Sequence, residues 1–123
     1  MKYDVTIGIP VYESVDVIKR SLESTLSQTY PSIEFLIIDD CGSDGSMAIV
    51  QQFQAEHPRG ADIHMVRHIQ NLGVSAARNC IIDEAQGNYL YFMDSDDVIA
   101  ENTIELMMQN VHQYNAEIVF GSY

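Results

Sequence analysis

Apolar positions fall into two kinds of segment that alternate along the chain. Val5 to Val11 is a short apolar run. Ile18, Leu22 and Leu26 then recur every fourth residue, as on one face of a helix. Tyr30-Pro31-Ser32 breaks that rhythm, and Phe35 to Ile38 is the continuous apolar run of a buried strand. Gly42, Ser43 and Gly45 mark a loop, and Ile49, Val50 and Phe53 mark a second helix. After the turn His57-Pro58-Arg59-Gly60, Ile63 to Val66 is a short third strand. Asn71-Leu72-Gly73 opens a helix with Val74, Ala77, Ile81 and Ala85 on one side, and Gly87-Asn88 ends it. Tyr89 to Met93 predicts a fourth buried strand. Ile104, Met107, Met108 and Val111 follow at helical spacing, the methionines as core filler, and Ile118 to Phe120 is a last strand. The order β-α-β-α-β-α-β-α-β predicts an α/β fold: a Rossmann-like α/β/α sandwich around a mostly parallel sheet. No G-x-G-x-x-G follows the first strand, so the dinucleotide fingerprint is absent.

Composition narrows the class. With 123 residues, 46% hydrophobic and 20% charged, the chain suits one globular domain over residues 1–123. No apolar run approaches the ~20 residues that cross a bilayer, and the first residues lack a signal-peptide layout, so a cytoplasmic protein is expected. The formal charge of −12 repels phosphate backbones and argues against nucleic acid as a partner. Cys41 and Cys80 form no metal-ligand pattern and read as reduced thiols.

The carboxylates change the picture. Ligands of open α/β sheets bind outside the carboxyl ends of the strands. There this chain places Glu13 after strand one, Asp39 and Asp40 after strand two, and Asp94, Asp96 and Asp97 after strand four. Six acidic groups around one crevice repel one another, by roughly 4 kcal/mol for a pair ~4 Å apart at an effective dielectric near 20. A divalent cation relieves that repulsion. All-oxygen donors suit Mg2+ or Mn2+, with Ca2+ admissible, and Mg2+ commonly shares its shell with substrate phosphates. Arg78, one turn into the third helix, is placed to meet an aspartate or a diphosphate. Asp16 and Asp44 suit helix capping equally well, and His64 and His68, flanking the third strand, read as satisfied surface histidines.

Five segments carry a family resemblance in the right order: Ile9 to Tyr12; Ser27 to Pro31; Ile38-Asp39-Asp40 with Asp44-Gly45-Ser46; Asn71 to Asn79; and Asp94 to Asp97. Together they resemble the N-terminal part of a family 2 glycosyltransferase of GT-A fold. The resemblance implies an inverting, metal-assisted enzyme that moves a sugar from a nucleotide-diphospho-sugar, with UDP the expected carrier, to a saccharide or lipid-linked acceptor. It implies that Pro10, Tyr12 and Glu13 hold the nucleoside, with Tyr12 against the base and Asp40 on its edge, supported by Asp39. Asp94-Ser95-Asp96 matches the family's D-x-D motif. Asp96 is the implied metal ligand, Asp94 binds the ribose or the metal shell, Ser95 lies on the substrate, Asp97 stands behind, and Arg78 lines the diphosphate region. The family often has glycine where this chain has Cys41.

The resemblance also implies an acceptor-binding half with a general base beyond Tyr123, so the chain reads as the donor-binding half. Little sugar transfer is expected from it alone, and surface left exposed for the other half favours self-association. A lipid-linked acceptor would bring the whole enzyme to the inner face of a membrane. A non-catalytic nucleotide-sugar-binding domain remains an alternative. A phospho-receiver domain would need an acceptor Asp after the third strand and a Lys after the fifth. Here the third strand ends at Arg67-His68, and Lys2 and Lys19 are the chain's lysines. A nucleotidyltransferase would want a glycine- and lysine- or arginine-rich loop where Pro10-Val11-Tyr12-Glu13 stands.

Overall fold

A computed structural model of the chain describes residues 3–40, 44–67 and 73–114. Its elements are β1 (Tyr3–Val11), α1 (Ile18–Leu26), β2 (Ile33–Asp39), α2 (Ser46–Glu56), a 3-10 turn (Gly60–Asp62), β3 (Ile63–Arg67), α3 (Val74–Glu84), β4 (Gly87–Phe92) and α4 (Thr103–Tyr114). Four strands form one parallel sheet in the order β3-β2-β1-β4. The predicted strand Ile118 to Phe120, together with Cys41, His68 and Asn71-Leu72, lies outside the described residues.

Strand order and helix placement follow from one rule. Parallel crossovers are right-handed. From β1 the chain steps outward to β2 and β3, so α1 and α2 cover one face. It then returns past β1 to β4, which reverses the direction and puts α3 on the other face. The core reflects this split. Ile7, Ile9, Phe35 and Ile37 meet Ile18, Leu22, Val50, Ile104 and Met108 on the α1-α2-α4 side. Leu36 and Ile38 meet Ala77 and Ile81 on the α3 side. β2, covered on both faces, is buried at every position.

β4 corrects an expectation. It is not a buried strand: its positions alternate between half-buried and exposed, and Leu90 and Phe92 are 38% and 39% exposed. The cause is its place at the edge of the sheet among the described residues, where α4 covers one face and no described helix covers the other. Gly87 and Asn88 are also strand residues, not a helix terminator. Gly87 is needed for contact, because a Cβ there would lie 2.6 Å from the Thr6 amide nitrogen.

Two long-range anchors hold the lower, N-terminal edge of the sheet. Glu34, fully buried, accepts from Thr6 Oγ1 (2.7 Å) and the Gln86 amide (2.8 Å) on one oxygen. Its other oxygen meets His64 Nδ1 at 2.5 Å. His64 is therefore inside β3 and paired with a buried carboxylate, rather than a surface group at the strand's flank. Arg59 lies 5.0 Å over the Phe35 ring and donates to the carbonyls of Gln28, Tyr30 and Pro31.

Two tyrosines make the fold sensitive to alkali. Burial, then a hydrogen bond to Asp62, pushes the Tyr3 hydroxyl from 10.0 up to about 12. Burial and the bond to Asp4 (2.6 Å) do the same to Tyr30, also up to about 12. A raised acid releases its proton first in the unfolded chain, so stability is full below about pH 10 and falls as pH rises towards 12. The urea midpoint is expected to drop across that window, and Tyr30→Phe should flatten the drop. An unchanged slope in Tyr30→Phe would refute the assignment.

Candidate functional site

The strand order reverses between β1 and β4, and ligands of such sheets bind at that switch point, beyond the carboxyl ends. Here the loops after Val11 and after Phe92 face one another. The Met93 amide still bonds the Gly8 carbonyl (3.0 Å), and the Asp40 amide bonds the Val11 carbonyl (2.9 Å), so each loop leaves the sheet from a fixed point.

Three carboxylates converge. One oxygen from each of Asp94, Asp96 and Asp97 lies within 4.8 Å of the others. The turn that gathers them is closed twice, from the Asp97 amide to the Asp94 carbonyl (3.1 Å) and from the Asp94 amide to Asp97 Oδ2 (3.2 Å). Asp94 and Asp96 are exposed, and Asp97 is half-buried. Arg78 Nη2 stands 4.0 Å from Asp94 Oδ1, with both side chains more than half exposed. Such a contact contributes little stability but leaves the cation free to turn towards a ligand.

The six-carboxylate cluster predicted from the strand ends is a correction. Among the described residues, Asp39 and Asp40 do not join the Asp94 group. β1 lies between β2 and β4, so their ends stand about 10 Å apart, two inter-strand spacings. Asp39 is 5% exposed and meets Arg67 Nε at 3.4 Å. Asp40 is 4% exposed, and its Oδ2 accepts from the Gly73 amide at 3.0 Å, fastening the start of α3. A cleft of about 410 Å³ opens beside Asp39, floored by Met47, Ala48 and Met65 and edged by Gln51 and Arg67.

The β1 loop occupies the middle of the rim. Pro10 is half-buried and paired with Ile38 in register. Tyr12 is 44% exposed, its ring open to solvent beside the crevice. Glu13, exposed, has φ +48°, a left-handed conformation that costs a non-glycine residue on the order of 1 kcal/mol. Asp44 does act at the start of α2: Oδ1 accepts from the Ser46 amide (3.0 Å) and hydroxyl (2.5 Å). The Ser46 bonds, with one from the Val15 amide, hold its carboxyl below the usual range. Asp16 does not cap α1, whose N-cap is Val17 without a side-chain bond. Cys80 is a free thiol pushed up by burial and then by Glu84 and Asp83.

Gln28 stands in one of the segments that carry the family resemblance, but the sequence assigns it no role. Its amide nitrogen donates to the Ala100 carbonyl (2.7 Å), and its oxygen accepts from the Ile104 amide (3.0 Å). Thr29 reaches Glu105 (2.8 Å) and, through its amide, the Glu101 carbonyl (2.7 Å). Gln28 and Thr29 thus fix the stretch that follows the three aspartates and cap α4.

Against known proteins, a family model described as Glycosyl transferase family 2 matches residues 6–123. The putative teichuronic acid biosynthesis glycosyltransferase TuaG of Bacillus subtilis is 34% identical, over 97% of this chain and 46% of its own length. The UDP-Glc:alpha-D-GlcNAc-diphosphoundecaprenol beta-1,3-glucosyltransferase WfaP of Escherichia coli is 34% identical, over 97% and 44%. The chain therefore spans less than half the length of these relatives. Residues 1–349 of TarS of S. aureus, solved with UDP-GlcNAc, superpose with a TM-score of 0.84 at 24% identity, covering 91% of this chain and 32% of that TarS piece. The mannosyltransferase PcManGT of Pyrobaculum calidifontis, solved with GDP-Man and Mn2+, gives 0.81 at 23%, covering 90% and 33%. Both support the fold.

Proposed function

The chain belongs to glycosyl transferase family 2, and from that membership we propose that it binds the donor, a nucleotide-diphospho-sugar with a uridine base, for inverting transfer to a saccharide or lipid-linked acceptor. The observation that carries the reading is the convergence of Asp94, Asp96 and Asp97 at the switch point, a span of two strands from the buried Asp40. That separation suits a ligand with a base at one end and a pyrophosphate at the other.

The exposed ring of Tyr12 stacks on the base, and the Asp40 carboxylate, supported by Asp39, reads its edge. Pro10 and Glu13 shape the backbone under the nucleoside. The donor set at Asp94, Asp96 and Asp97 is all oxygen and close enough to share a hard divalent ion, so these residues fit Mg2+ or Mn2+. Such an ion, when bound, would neutralise the diphosphate as a leaving group. Asp96 and Asp94 hold it, and Arg78 turns from Asp94 to the phosphates. The general base and acceptor site are not assigned to any described residue.

The test is a thermal-shift panel of UDP, GDP, CDP and ADP, each with and without Mn2+. Binding to the folded state at a hundredfold excess over Kd contributes about 2.7 kcal/mol, or on the order of 10 °C in a domain this size. UDP with Mn2+ is expected to give the largest shift. A flat response across the panel sinks the proposal.

A further inference from the structure

Ser14 touches none of the three carboxylates in this structure, yet it ties together the loops on either side of them. Its hydroxyl lies 2.5 Å from the Ser95 hydroxyl, across the switch point between β1 and β4. Its amide donates to Ser46 Oγ at 2.8 Å. Ser46 Oγ in turn donates to Asp44 Oδ1 (2.5 Å), and the Val15 amide donates to Asp44 Oδ2 (3.0 Å). One line, Asp44–Ser46–Ser14–Ser95, therefore joins the loops after β2, β1 and β4. Ser14 and Ser46 are 6% and 3% exposed, so water competes little for these bonds.

Either serine hydroxyl can donate to the other, and counting protons ties that choice to the Tyr12 carbonyl. A hydroxyl has one proton to donate. Ser14 Oγ also lies 3.2 Å from the Tyr12 carbonyl, which can only accept. If Ser14 donates there, the proton between the two serines belongs to Ser95. Ser95, half-buried, then has no proton left for a phosphate and can only accept.

Glu13 adds an independent sign. Its φ of +48° turns the chain so that Tyr12 points out and Ser14 points in. Strained backbone of this kind persists where its surroundings over-determine it, and here Ser14 is held from both sides.

We propose that Ser14 is a positioning residue: through Ser95 it sets the Asp94-Ser95-Asp96 turn, coupling the nucleoside loop to the metal-binding carboxylates. This rests on the functional reading above. Residues that orient a metal's ligands from behind change affinity by roughly 10- to 100-fold when removed.

The experiment is a double-mutant cycle of Ser14→Ala and Ser95→Ala. UDP affinity is measured with and without Mn2+, beside amide exchange over residues 93–98. Each single variant is expected to cut the Mn2+-dependent gain in UDP affinity about tenfold. The double variant should lose no more than either, metal-free affinity should stay unchanged in Ser14→Ala, and exchange at Asp97 should quicken. Should Ser14→Ala fail to fold, Ser46→Ala removes the next bond in the line and is expected to give the same selective loss. Additive losses, or equal losses with and without Mn2+, overturn the proposal. A normal Mn2+ effect surviving in both single variants overturns this proposal alone, whereas no Mn2+ effect in the unaltered protein overturns the functional reading with it.

Discussion

Glu34→Ala is expected to lower the unfolding free energy by about 3–5 kcal/mol, the cost of breaking a buried charged cluster by removing one partner. Domains of this kind have roughly 5–15 kcal/mol in total, so the variant should be unfolded or nearly so at 37 °C. Glu34 is fully buried and holds Thr6, Gln86 and His64, residues from β1, the α3–β4 junction and β3. Alanine leaves the Gln86 amide without its acceptor, the Thr6 hydroxyl with the Gly87 amide donating to it (2.9 Å) but no acceptor for its own proton, and the His64 ring without its acceptor. Leaving buried donors unmade costs about 1–3 kcal/mol each. Glu34→Gln keeps the shape and one acceptor oxygen, and should lose markedly less. Urea denaturation decides it: a loss below about 1 kcal/mol for Glu34→Ala would show that the cluster does not hold the lower edge of the sheet.

Asp96→Ala is expected to remove the Mn2+-dependent part of UDP binding, a loss of at least tenfold, or about 1.4 kcal/mol. Metal-free UDP affinity should change little, because Asp40 follows β2, on the far side of β1 from this turn, and Tyr12 lies on the β1 loop between them. Apo stability separates this variant from an ordinary destabilising one. Asp94, Asp96 and Asp97 repel one another when no cation is bound, so removing one carboxylate should leave the apo melting temperature unchanged or raised. A lowered apo melting temperature with Mn2+ dependence intact would reverse the roles assigned to this turn.

Local signals carried most of the fold. Ile18-Leu22-Leu26 and Ile104-Met108-Val111 face the core, because helical spacing records which side is buried. Phe35 to Ile38 is covered on both faces and reads as a continuous run for that reason. Tyr89 to Phe92 carries the same kind of apolar run but lies at the edge of the described sheet, and a run of apolar residues does not say how many faces a helix will cover. The strand-end rule placed Asp94, Asp96 and Asp97 correctly at the rim, but it did not contain strand order. Knowing that β1 separates β2 from β4 is what divides the predicted carboxylate cluster in two. Ser14, Gln28, Glu34 and Arg59 were not legible at all as structural keys. Their partners lie 28 to 81 residues away, and a polar residue in a sequence carries no mark of a partner that distant. Ser14 had one local hint in its neighbour Glu13, but a positive φ is visible only in the structure.

The proposed donor site depends on one cation shared between the Asp94–Asp97 turn and a diphosphate. Mn2+ binding followed by electron paramagnetic resonance, with and without UDP, tests it most directly. Linkage requires that UDP tighten Mn2+ by the same factor as Mn2+ tightens UDP, and the expected factor is at least tenfold in both directions. Mn2+ affinity unaffected by saturating UDP would mean that ion and nucleotide do not meet, and the proposed donor site would be wrong.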